Sequence, residues 1–270
     1  MRGIIIKSLR ETWLATLLFS LALFMVKYAL TFILPQVLSG IDEVFAQMPF
    51  VRQMISALLG TEVGDRIAAE SMQAFLWVHP MVLTLVWAQV IVFCTRLPAG
   101  EIDRGTIDVL FSLPISRRRV YWSETIVWAG SGVFLILSGF IGHLLAAPDM
   151  PAEMRPSLID ATRVMFNLFG VYLAVGGLTC LISTCSDRRG RAIGVAFALV
   201  LTSFMINFLA QYWDPIKDFA FLSVMNYYQP AVIVRDGLWP VSNVAILIAL
   251  GTIGWFAGGE VLARRSICTV

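Results

Sequence analysis

Six stretches of this chain stay apolar for longer than a soluble core helix requires, and they fix most of what it can fold into. A hydrocarbon core is crossed by about 20 helical residues. Runs near 12–34, 73–97, 121–146, 160–185, 191–213 and 241–263 reach that length. They are continuous rather than alternating, which argues against a transmembrane barrel. With 58% hydrophobic and 14% charged residues, against about a quarter charged in soluble domains, the surplus cannot be hidden in one soluble core. The expected fold is an all-α integral membrane protein with six transmembrane helices. No low-complexity linker or internal repeat divides it, so residues 1–270 are expected to form one transmembrane domain.

Charge orients these spans. If the N-terminus is cytoplasmic, the inner segments hold Arg2, Lys7, Arg10, Arg96, Arg104, Arg117, Arg118, Arg119, Arg188, Arg189, Arg191, Arg264 and Arg265. The outer segments hold only Arg52, Arg66, Arg155, Arg163, Lys217 and Arg235. That bias places both termini in the cytoplasm and the protein in the cytoplasmic membrane. A net charge of +2 gives no reason to invoke nucleic acid. The first ten residues read as an amphipathic helix, with Ile5, Ile6 and Leu9 toward lipid and Arg2, Lys7 and Arg10 toward anionic headgroups. They have no cleavage site of the A-x-A kind, so the run after them is expected to remain as the first span.

Few polar residues interrupt the spans. Lys27 lies inside span one, where a charge is a functional candidate by default. Its place about seven residues from the outer end also lets it snorkel to the headgroups. Gln89 in span two and Asn207 in span five could line a substrate path or bond to neighbouring helices. His79 and His143 are isolated at outer ends. No His and Cys combination has metal-ligand spacing, so no metal is expected, and Cys94, Cys180, Cys185 and Cys268 read as small apolar residues. Ser131, Ser138 and Gly142 in span three and Gly251, Gly254 and Gly258 in span six form small-residue faces. Such faces suit close helix contact, including contact with a second copy.

Outer residues 35–72 contain apolar pieces at 41–48 and 50–59, expected to lie in the outer interface. Residues 214–240 are too interrupted for a span. Short helices at 219–224 and 227–234, broken near Pro230 and Gly237, are expected there, able to re-enter the outer leaflet if shielded by protein.

The most informative polar stretch is 101–119, between spans two and three. Pro98 and Gly100 break span two. Gly105 allows a sharp turn, and Thr106 is placed to cap a helix with Asp108 near its positive end. Ile107, Leu110 and Phe111 then share one face. Pro114 stops that helix, Ser116 caps span three, and Arg117–Arg119 mark the inner headgroup level. A short amphipathic helix of this kind is either an interfacial loop or a docking element that a partner can grip as a rigid body.

Catalytic signatures are absent from the sequence. It contains no G-x-x-x-x-G-K-[ST] phosphate loop, no H-E-x-x-H and no G-x-S-x-G. The spans hold no row of carboxylates for proton-driven transport. A transport role therefore needs an external energy source. Glu101, Gly105-Thr106, Leu110, Ser112, Leu113-Pro114 and Ser116-Arg117 resemble the pattern E-x-x-x-G-T-x-x-x-L-x-S-x-P-x-S-R of type 2 permease subunits of ABC exporters. Ile102-Asp103-Arg104 departs from the more acidic run usual after that glutamate.

The resemblance implies a six-span permease whose 101–119 segment is a cytoplasmic coupling helix. It also implies an assembly of two permease copies, homodimeric or heterodimeric, with two separate ATPase subunits that carry ATP and Mg. This chain itself would be no enzyme and bind no cofactor. Glu101 and Arg117 are then expected as polar docking contacts, with Ile107, Leu110 and Phe111 as an apolar seat and Gly105, Thr106 and Pro114 shaping the element. The implied cargo is a hydrophobic or amphipathic compound, such as an antibiotic or lipid, with a small ion as a lesser alternative. A different reading is a membrane scaffold that transmits ATPase work to an extracytoplasmic partner through its outer loops.

Overall fold

In a computed structural model, residues 2–38, 50, 53–54, 69–152, 155 and 157–266 are described. The described residues are helical without strands, and six helices are long and apolar enough to cross a membrane. The elements that build them are α1 (Arg2–Leu38), α2 (Ala69–Val78), α3 (Pro80–Cys94), α4 (Glu101–Asp103), α5 (Ile107–Phe111), α6 (Arg117–Ala146), α7 (Leu158–Thr184), α8 (Arg189–Leu209), α9 (Asp214–Lys217), α10 (Pro230–Asp236) and α11 (Val241–Arg264). The expected pieces at 41–48 and 50–59 lie almost wholly outside the described residues.

Two helix pairs have the most extensive contacts, and both run parallel. In the first, α1 lies along α6. Ser138 Oγ donates to the Ser20 carbonyl at 2.9 Å, and a Cβ on Gly142 would come within 2.5 Å of the Phe24 carbonyl oxygen. In the second, α7 lies along α11. There a Cβ on Gly177 would sit 1.9 Å from the Gly251 carbonyl oxygen, so only glycine permits the approach. In a membrane, packing of this kind replaces the hydrophobic drive that lipid cancels. The small-residue faces of spans three and six are thus used within the chain. The expectation that they were open to a second copy is corrected. Span four touches span five and has its most extensive contact with span six.

Helix α3 runs through the middle, against α1, α6, α7 and α8. Gln89 ties this centre together: its Nε2 donates to Ser131 Oγ at 3.0 Å, and Tyr172 Oη donates to its Oε1 at 2.8 Å. Outward faces remain apolar, with Leu14, Leu17, Leu18 and Leu21 exposed on α1, as lipid contact requires.

Several boundaries differ from expectation. The N-terminal amphipathic segment is continuous with span one in α1. Span two is two helices, because His79 is extended before Pro80 (φ −54°, ψ 131°), the conformation a proline imposes on its predecessor. Span five ends at Leu209, leaving Tyr212 and Trp213 beyond it. Pro230 opens α10 rather than breaking a helix, since the first helical position needs no N–H. Gly237 closes α10 in the left-handed region (φ 61°). The 214–240 segment is held by side chains: Ser203 and Ser223 pair at 3.1 Å, and Asn167 Nδ2 donates to the Tyr227 carbonyl at 3.0 Å.

Candidate functional site

The candidate site is the 95–117 connection at the arginine-rich end of the bundle. Thr95 ends α3 with its hydroxyl donating to the Ile91 carbonyl at 2.7 Å. Leu97 leaves helical geometry (φ −132°, ψ 134°), and the Leu97–Pro98 peptide is cis. Arg96 through Glu101 are all buried, which is unusual for a loop and requires polar partners.

Those partners come from four elements. Ser183 of α7 bridges the turn, accepting from the Ala99 amide and donating to the Leu97 carbonyl, both at 3.3 Å. Arg189 of α8 donates to the Val92 carbonyl at 3.0 Å, satisfying a carbonyl that the end of α3 leaves open. Arg96 is 8% exposed and donates to both Glu11 of α1 and Glu124 of α6. Ser8 donates to Glu124 as well. A buried charge is tolerable only when paired and hydrogen-bonded, and here one guanidinium serves two carboxylates with its planar fork.

Beyond this clamp the chain turns. Glu101 is 5% exposed. Its carboxylate accepts from Thr106 Oγ1 and lies 3.7 Å from Lys7 Nζ. Gly105 adopts φ 69°, a left-handed turn that suits glycine. Thr106 stands at the expected capping position of α5, but its hydroxyl goes to Glu101, not to an α5 amide. Its own backbone is helical (φ −98°, ψ −2°), whereas a capping residue is normally extended. Ser116, extended at ψ 144°, does cap α6, accepting from the Arg119 amide.

Helix α5 presents two different faces. Ile107 and Leu110 are buried in the bundle core. Phe111 is half-buried beneath the Arg117 guanidinium, 4.8 Å from ring centroid to Cζ. Asp108, Val109, Ser112 and Leu113 face outward, with Val109 71% and Leu113 44% exposed. Arg117 donates to the Arg265 carbonyl at 2.5 Å and the Leu262 carbonyl at 3.4 Å, closing the end of α11 as a basic residue does at a helix C-terminus. Glu101, Ile107, Leu110 and Arg117 thus turn inward as anchors, while Gly105, Thr106 and Pro114 are exposed.

The other candidates do not converge here. Gln89 is consumed in the central hydrogen bonds. Asn207 is half-buried on α8, and the two are not bonded to each other. His79 caps α3, accepting from the Met81 amide at 3.3 Å. Lys27 does not snorkel: it is 1% exposed, and its Nζ donates to the Leu76 carbonyl at 3.1 Å. No group of three metal-ligating residues occurs among those described.

Sequence reasoning missed the clamp of Glu11, Arg96 and Glu124, and the cap by Arg189. One signal was present: Glu11 and Glu124 lie at the inner ends of apolar runs, where a carboxylate calls for a cation.

Comparison with known proteins places this arrangement. The profile of the ABC-2 family transporter proteins matches residues 5–252. The chain is 23% identical over 235 residues to "Uncharacterized membrane protein YdbK" of Bacillus subtilis (strain 168), covering 82% of this chain and 91% of that protein. It is 29% identical over 125 residues to "Probable ABC transporter permease YtrC" of the same organism, covering 44% of this chain and 33% of that one. A bundle of six membrane-length helices with this profile match over nearly its whole length belongs to the ABC-2 family transporter proteins, as a multi-pass membrane subunit of an ABC transporter.

Proposed function

We propose that this subunit receives work from a separate ATPase through α4 and α5, with the arginine-rich end cytoplasmic, and uses it to export a hydrophobic or amphipathic compound. The observation that carries this reading is the two-faced geometry of α5. Its inner face is fastened to the bundle by Ile107 and Leu110, and its outer face offers Asp108, Val109, Ser112 and Leu113. A push on that outer face has little slack to dissipate it, because Glu101, Arg96 and Ser183 tie the preceding turn to α1, α6 and α7. ATP and Mg belong to the partner in this reading, and the membrane subunit works as one of two copies.

Val109→Asp tests the reading. It places a charge at the centre of the outward apolar strip. The ATPase subunit is expected to stop copurifying with the variant, while expression and thermal unfolding of the membrane subunit stay unchanged. Full retention of the ATPase by the Val109→Asp and Leu113→Asp variants would reject α5 as the docking element.

A further inference from the structure

Pro80 removes one backbone N–H from span two, and the consequences can be followed atom by atom. In an unbroken helix the N–H of residue 80 would bond to the Leu76 carbonyl. Pro80 has no N–H, and its ring crowds that carbonyl. The next amide, of Met81, turns to His79 Nδ1, so the Trp77 carbonyl loses its helical donor too. The amides of Val82 and Leu83 bond to the His79 carbonyl at 2.9 and 3.2 Å. No backbone hydrogen bond from residues 80–83 reaches α2.

The Val78 carbonyl loses the Val82 amide to His79, and the other two stranded carbonyls, of Leu76 and Trp77, are satisfied from outside the helix. Lys27 Nζ of α1 donates to Leu76 at 3.1 Å and stands 3.6 Å from the centroid of the Trp77 ring. Tyr228 Oη, from the 214–240 segment, donates to Trp77 at 3.1 Å. Membrane helices tolerate proline when neighbours fill the freed groups in this way. The two arms also have separate company: α2 packs chiefly on α10, whereas α3 packs on α7, α1, α6 and α8.

We propose that His79–Pro80 is a hinge in span two, and that Lys27 and Tyr228 are the latches that hold its outer arm, α2, in the present position. Lys27 is then a positioning residue for that arm rather than a charge along a substrate path. The proposal stands independently of cargo and of the ATPase docking described above.

The test is amide hydrogen exchange on the full chain in lipid nanodiscs, comparing wild type, Lys27→Met, Pro80→Ala and the double variant. Lys27→Met is expected to accelerate exchange over 73–78 by about tenfold, the order of one buried hydrogen bond. Residues 83–94 should keep their rates. With Pro80→Ala in the background, residue 80 regains its N–H and serves the Leu76 carbonyl itself, so Lys27→Met should change exchange by less than about twofold. Equal acceleration in both backgrounds, or acceleration shared by 83–94, overturns the latch. So does no acceleration at all. If Lys27→Met fails to insert, Tyr228→Phe reads the second latch in the same peptides: in the Pro80→Ala background the continuous helix returns the Met81 amide from His79 to the Trp77 carbonyl, and lack of rescue overturns the proposal.

Discussion

Proline interrupts span two near its start, at Pro80, and again just past its end, at Pro98, and the two breaks are repaired differently. At Pro80 the Leu76 and Trp77 carbonyls have a single donor each, Lys27 and Tyr228. At Pro98 the repair is redundant: Ser183 bridges two backbone groups, Arg189 caps α3, and Arg96 joins Glu11 to Glu124. Single repairs allow one contact to be exchanged at a time. A network fixed from α1, α6, α7 and α8 has to be broken as a whole. The Pro98 break therefore behaves as a rigid foot for α4 and α5, and the Pro80 break as a joint.

The difference can be broken most severely at Arg96. Arg96→Ala leaves Glu124 without its cation and Glu11 with only Lys7, 3.6 Å away, and removing one member of a buried pair costs about 3–5 kcal/mol. Glu11 is 40% exposed, so water offsets part of this and the low end is expected. Thermal unfolding in detergent should show a large drop in midpoint, and an unchanged midpoint would mean the clamp does not stiffen the foot. A smaller effect is expected from Tyr228→Phe, which deletes one hydroxyl from the joint. Interhelical hydrogen bonds in membranes average about 0.6 kcal/mol with a ceiling near 1.7, and the loss should appear as faster exchange confined to 73–78. Ser183→Ala should cost least in stability, under about 1 kcal/mol, because Arg189 and the Arg96 clamp continue to hold the foot. If Ser183→Ala matched Arg96→Ala in the unfolding midpoint, the foot would not be redundant.

The span pattern was legible in the residues because twenty consecutive apolar positions admit few other structures. The 101–117 motif was legible as a turn and short helix, since Gly105, Pro114 and Ser116 each have a local reason to be there. The direction in which its side chains point was not. Ile107, Leu110 and Phe111 share one face by periodicity, but periodicity does not say whether that face meets a partner or the protein's own core. Burial assigns Ile107 and Leu110 to the core and leaves Val109 and Leu113 outside. Lys27 shows the same limit: a lysine near a helix end has the reach to snorkel, and only Pro80, in another helix, frees the Leu76 carbonyl that draws it inward.

By itself the sequence determined six membrane-crossing helices, the end that carries the arginines and the place of the α5 element, because hydropathy, charge bias and turn chemistry act over a few residues or one helix. The tertiary structure decided which glycines meet, which carbonyls need a donor and which face of α5 is exposed. Those outcomes depend on distances between spans far apart in the chain, and in a bilayer close packing and interhelical hydrogen bonds, rather than water's exclusion, set those distances.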